Sequence, residues 1–197
     1  MIGAIVLAAG KSTRMGAAKV LLPFGQSTVI GHIVDQLLAA AIENVVVVAG
    51  HERERIAAAL SGRQVTLTCN RHVEAGMISS VRCGLQVLPA KCDRVLMALG
   101  DQPVITTALI QQVVGALETT DKGIVIPCHG GKRGHPMIFS TRYRDKVMTH
   151  YDEVGLRGLP HDHPGDVFEL EASSPAVLAD MDVPADYRRA LEMLEEE

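Results

Sequence analysis

Four apolar runs in this chain do not alternate with polar residues. They are residues 2–7, "NVVVVAG" at 44–50, "DRVLMALGD" at 93–101 and "GIVIPC" at 123–128. A strand with one wet face alternates, whereas a continuous apolar run marks a strand covered on both faces. Between the runs lie stretches of helical spacing. "STVIGHIVDQLLAAAI" (27–42) places Val29, Ile33, Leu37 and Ala40/Ala41 on one stripe, with Ser27 or Thr28 as N-cap. "ERERIAAAL" (52–60), "GMISSVRCGLQVL" (76–88) and "TALIQQVVGALE" (107–118) read as further helices, and "QVTLTC" (64–69) as a third strand. The chain therefore predicts an α/β fold, a mostly parallel sheet with helices on both faces. In the last third, "RYRDKVMTH" (142–150) and "EVGLRGL" (153–159) read as short helices, with a last strand near 166–170. Pro184 opens a closing helix.

A length of 197 residues suits one domain, 1–197, with 130–165 as a subregion of its own. A net charge of −4 and the lack of a basic stripe with interleaved aromatics argue against nucleic acid as a partner. No apolar stretch is long enough to span a bilayer, and the apolar start reads as a strand, not a signal peptide. Cys69, Cys83, Cys92 and Cys128 form no C-x-x-C pair, which suits reduced thiols in a cytoplasmic protein. Cys69 and Cys128 end apolar runs and are expected to be buried.

In parallel sheets ligands bind beyond the carboxyl ends of the strands. Three stretches are expected there: 8–19, 100–103 and 180–184. The first, within "LAAGKSTRMGAAK" (7–19), combines two glycines, two lysines and an arginine. It is not a Walker A loop, because the earlier glycine would fall on Ile5. It is not a dinucleotide fingerprint either, because no glycine lies two residues from Gly10. Ala8, Ala9 and Gly10 allow close approach of a ligand, and Ser12, Arg14 and Lys19 supply donors and charge. From composition alone, a phosphate cradle and a solvated basic loop stand level.

"LAAGKSTRMGAAKVLLPFG" (7–25) resembles the signature loop of MobA-like nucleotidyltransferases, and most of all the molybdenum cofactor cytidylyltransferases. "NRHVEAGMISSVRCGL" (70–85), "GDQPVI" (100–105), "GKRGHPMIF" (131–139) and "DMDVPADY" (180–187) are similar to family segments in the family order. The resemblance implies a Rossmann-like three-layer sandwich of the nucleotide-diphospho-sugar transferase type. It implies transfer of CMP from CTP to the terminal phosphate of a molybdopterin-type cofactor, with Mg²⁺ and release of pyrophosphate. It assigns Arg14, Lys19 and Asp101 to catalysis. Leu7, Ala8, Ala9, Gly10, Ser12, Arg14, Lys19, Gly76, Met77 and Ser80 are assigned to the nucleotide, and Asp101 and Asp182 to the metal, with Asp180 as the alternative second ligand. Asp180 and Asp182 are expected on one side of a strand-like segment. Arg133 and His135 are assigned to the acceptor, although His135 could instead support the turn before Pro136. Ala9, where the guanylyl branch more often has glycine, leans towards cytosine. A molybdoenzyme receiving the product is a possible partner. Three alternatives stay open: GTP or another phosphorylated acceptor such as a sugar phosphate, a cofactor-binding chaperone without turnover, and an oxidoreductase. "HDHP" (161–164) reads as a surface loop and not a metal site.

Overall fold

The computed structural model describes residues 1–10 and 17–195. Ten strands are present among them: β1 (Ile2–Ala8), β2 (Pro23–Phe24), β3 (Ser27–Thr28), β4 (Asn44–Ala49), β5 (Thr66–Cys69), β6 (Arg94–Leu99), β7 (Ile124–His129), β8 (Lys132–Arg133), β9 (Met137–Ser140) and β10 (Val167–Glu171). The helices are α1 (Val29–Ala39), α2 (Arg53–Ala59), α3 (Met77–Val87), α4 (Thr107–Gly115), α5 (Arg144–Thr149), α6 (Gly158–Asp162) and α7 (Pro184–Glu195). The main sheet runs β10-β7-β9-β6-β1-β4-β5, with β8 added to β7, while β2 and β3 form a separate hairpin. The β1–β4, β1–β6, β4–β5 and β7–β10 pairings are parallel, and β9 is antiparallel to both its neighbours.

The continuous apolar runs explain the layering, because alternate residues of each strand serve opposite cores. Ala4, Val6, Val45, Val47, Leu96 and Ala98 pack with Ile30, Val34 and Leu37 of α1, Ile110 of α4 and Ala190 of α7. Ile5, Val46, Val48, Val95 and Met97 pack on the other face with Val81 and Leu85 of α3 and Val147 of α5. The result is a Rossmann-like α/β sandwich. The chain runs from β1 outward through β4 and β5, then crosses back to lay β6 on the other side of β1. The order of strands thus switches at β1 and β6, where open parallel sheets form their ligand crevice.

Several local expectations hold. Thr28 is the N-cap of α1 and accepts from the Gly31 N–H at 3.2 Å. Gly76, with φ 82°, precedes α3, and Pro184 is the first residue of α7. Others need correction. Residues 153–157 are not helical: Gly155 sits at φ 68° and closes a turn, so helix begins only at Gly158. The "HDHP" stretch is partly helical, with His161 and Asp162 ending α6. Residues 180–183 form no strand and follow no strand; a short 3₁₀ turn, Pro175–Leu178, leads into them. Cys128 is buried, but Cys69 is only half-buried because β5 is the edge strand. All four cysteines are free thiols. No helix among the described residues is long and apolar enough to cross a membrane.

Candidate active site

The end of β1 is gripped from both sides by glycines that follow its neighbours. A Cβ on Gly50, after β4, would lie 2.8 Å from the Ala9 carbonyl oxygen. A Cβ on Gly100, after β6, would lie 2.7 Å from the Leu7 carbonyl oxygen. The Gly100 N–H donates to that same oxygen at 2.9 Å. Residues 7–9 are thereby fixed in position, with Gly10 open to solvent. Neither glycine was singled out from the sequence, yet each stands directly after an apolar run and could have been read as a close-approach signal.

Beyond this grip, Lys19 stands at the start of a 3₁₀ turn. Its Nζ donates to Asp101 Oδ2 at 2.5 Å, to Asp182 Oδ1 at 3.1 Å and to the Met181 carbonyl at 3.1 Å. Burial pulls the lysine pKa down, but the hydrogen bonds and charges of Asp101 and Asp182 outweigh it and leave the pKa raised. The ammonium therefore stays charged throughout the neutral range. The Met181 N–H donates to the Asp101 carbonyl at 2.9 Å, which ties the 180–183 segment to the end of β6. This long-range bond supplies what local sequence could not, the meeting of "GDQP" with "DMDVP".

Asp180 and Asp182 do not act on one partner. Asp182 faces Lys19, whereas Asp180 Oδ1 accepts from Gln102 Nε2 at 2.7 Å. Burial and the neighbouring Asp101 and Asp182 raise the Asp180 pKa against the opposing pull of Gln102. His135 is held mainly neutral: burial lowers its pKa, and Asp180 and Asp101 only partly offset this. No group of three His, Cys, Asp or Glu side chains among the described residues is arranged to hold a metal by itself. Two carboxylates and a carbonyl nevertheless converge on one cation, Lys19. A small hard divalent ion, which takes one or two carboxylates and completes its shell with phosphate oxygens, fits that donor set.

The other predicted residues sort by position. Met77 is exposed and Gly76 lies beside it at the N-terminus of α3. Ser80 is buried, and its hydroxyl accepts from Asn70 Nδ2 at 2.9 Å. Asn70, which the sequence did not flag, also donates to Ser79 at 2.7 Å and accepts from the His72 N–H at 2.8 Å. It thus clasps β5 to the start of α3. Arg133 pairs with Glu169 at 2.7 Å. Lys11, Ser12 and Arg14 lie outside the described residues.

A cavity of about 420 Å³ opens beside this cluster. Its inner end is formed by Leu7 and Leu99, partners across β1 and β6. Met77, Met97, Met137 and Ile126 line its body, and Arg133, His135 and Arg157 also reach it. The methionines come from α3, β6 and β9, so no stretch of sequence announces them together.

The strand switch thus brings together a strand end held by two glycines and two carboxylates gathered on a lysine. The chain belongs to the MobA-like NTP transferase family, whose domain description matches residues 4–167. A nucleotidyl transferase from Methanothermobacter superposes with a TM-score of 0.86 at 26% identity, covering 100% of this chain and 99% of that one. Rv0371c from Mycobacterium tuberculosis, in a complex with manganese, gives a TM-score of 0.78 at 27% identity, covering 97% of this chain and 98% of that one. The bifunctional protein GlmU of Sinorhizobium medicae is 36% identical over 126 residues, 62% of this chain. The match spans only 28% of the length of that relative.

Proposed function

We propose that the protein transfers CMP from CTP to the terminal phosphate of a molybdopterin-type acceptor. The carrying observation is the largely apolar cavity lined by Leu7 and Leu99 at the ends of β1 and β6, with Leu99 two residues before the Asp101 that holds Lys19. It offers space for the flat body of a pterin-like molecule while its phosphate lies at the strand ends. A flat ring can lay its face against thioethers and methyl groups with its polar groups at the edge, whereas a sugar phosphate, the other acceptor considered, carries hydroxyls on all sides.

The reaction is a displacement at the α-phosphorus of CTP. An acceptor phosphate oxygen forms the new P–O bond, the bond from the α-phosphorus to the bridging oxygen breaks, and pyrophosphate leaves with the electron pair. A phosphomonoester has its second pKa near ~6, so it arrives largely ionised and needs no general base. The work is positioning and charge neutralisation. In this reading residues 7–10 cradle the nucleotide, and Gly50 and Gly100 keep that backbone in place. Lys19 neutralises the triphosphate, joined by Arg14 and Ser12 on the strength of the sequence. Gly76 and Met77 flank the base and ribose, with Ser80 supporting them through Asn70. Asp101 and Asp182 would hold Mg²⁺, which when bound supplies charge neutralisation to the reacting phosphates. Arg133 and His135 line the acceptor side, within the 130–165 subregion. Ala9 supports CTP over GTP.

The test is pyrophosphate release with Mg²⁺ and molybdopterin-type cofactor, offering CTP, GTP, ATP and UTP in parallel. Release with CTP alone is expected. Release with GTP would overturn the use of Ala9. No release from folded, CTP-binding protein would overturn the acceptor.

A further inference from the structure

The cavity beside the cluster carries a cation that its surroundings leave unbalanced. Its lining includes Val154, Gly155, Leu156 and Arg157, on the turn between α5 and α6. That turn is held at several points. Tyr151 adopts φ 74°, a left-handed conformation uncommon for a bulky residue, and its ring lies against Gly158, where there is no room for a Cβ. The Tyr151 hydroxyl donates to Asp162 at 3.2 Å, and the Gly155 N–H donates to the Tyr151 carbonyl at 2.8 Å. Arg82 of α3 donates to the carbonyls of Val147 and His150 at 3.0 and 2.6 Å and to Asp152 at 2.6 Å. The turn is thereby fastened to α3, the helix whose first residue, Met77, lines the same cavity.

On this fixed turn Arg157 is exposed and makes no ion pair or hydrogen bond through its side chain with any described residue. Arg133, the other arginine of the cavity, is already neutralised by Glu169. A guanidinium without a carboxylate at the edge of an apolar cavity is a ready receptor for an anion. Met97 and Met137 complement it, since thioethers make favourable contacts with aromatic rings.

We propose that Arg157 is a specificity-determining residue for the acceptor, binding an anionic group on a flat ring-bearing molecule whose face lies against Met97 and Met137. This rests on the functional reading above for where the reacting phosphate lies, and adds the residue that selects the rest of the molecule.

The probe is naphthalene-1-sulfonate, an anion on a flat aromatic ring, titrated at constant ionic strength into the full chain. Wild type, Arg157→Ala, Arg157→Lys and the distant control Arg55→Ala are compared, each checked for an unchanged unfolding transition. One saturable site is expected in the wild type and in Arg55→Ala, weakened about tenfold or more in Arg157→Ala and largely kept in Arg157→Lys. In the pyrophosphate assay Arg157→Ala should raise the acceptor KM by a similar factor and leave the CTP KM unchanged. Equal probe binding by Arg157→Ala and wild type, or no saturable site in the wild type, would overturn the assignment. So would a CTP KM that rises in step. A wild type that binds the probe through Arg157 but releases no pyrophosphate would support this assignment and overturn the functional reading alone.

Discussion

Replacing Gly100 with alanine tests whether the end of β1 is held by close approach. Gly100 is not among the glycines with positive φ, so alanine suits its backbone and the obstacle is space. The new Cβ would lie 2.7 Å from the Leu7 carbonyl oxygen and 3.3 Å from Ala8 Cα and Val20 Cγ1. A comfortable carbon–oxygen approach is about 3.3 Å, so β1 and β6 must part at this end by roughly 0.6 Å. Overpacking of this kind costs about 1–3 kcal/mol. For a chain of this size each kcal/mol lowers Tm by roughly 2–4 °C. The same displacement moves residues 7–10 relative to Asp101, which should lower kcat by about 10- to 100-fold. Gly115→Ala is the control: that glycine ends α4 in helical geometry, and nothing lies within 4 Å of the added Cβ. It should gain up to about 1 kcal/mol and leave turnover alone. Urea unfolding and pyrophosphate release on both variants decide the matter. A Gly100→Ala protein that matches Gly115→Ala in both assays would refute the close-approach argument.

Lys19→Ala removes the cation shared by Asp101 and Asp182 and should weaken CTP binding about tenfold or more by calorimetry; unchanged affinity would remove Lys19 from the cradle. Asp101→Asn should cut turnover by at least about 100-fold while the protein still folds, and full turnover would sink its assignment to the metal. Asn70→Ala leaves the Ser80 hydroxyl and the His72 N–H without the Asn70 amide and should cost about 1–3 kcal/mol in urea unfolding. Asp166 is raised by burial, but hydrogen bonds from Arg142, Tyr143 and Gly123 hold its pKa down at about 2. A depressed carboxylate stabilises the fold above its unfolded pKa near 3.8, and this contribution is lost as pH falls through about 2. Asp166→Asn should therefore lose up to roughly 2 kcal/mol at neutral pH and converge on wild type in acid. A constant gap across pH would show that the carboxylate charge is not involved.

The layering was legible because residues 44–50 and 93–101 can only be strands buried on both faces. The end of β1 was legible because its apolar run stops at Gly10, where a parallel sheet opens its crevice. What local pattern could not supply is long-range pairing. Residues 153–159 read as a short helix, but Gly155 turns the chain with φ 68° and the helix waits until Gly158. Sequence left open which of Asp180 and Asp182 joins Asp101, and the pairing is long-range: Asp182 shares Lys19 with Asp101, and Asp180 accepts from Gln102. The cavity was invisible because its methionines are distant in sequence, and Arg157 stood inside a segment read only as a helix.

The most direct test of the central claim is a crystal structure with CTP and Mn²⁺, using the anomalous signal of the metal to locate it. Mn²⁺ bound by Asp101 and Asp182, with Lys19 turned onto the triphosphate and residues 7–10 around it, is the predicted result. A metal bound away from both carboxylates, or CTP seated away from the end of β1, would contradict the account.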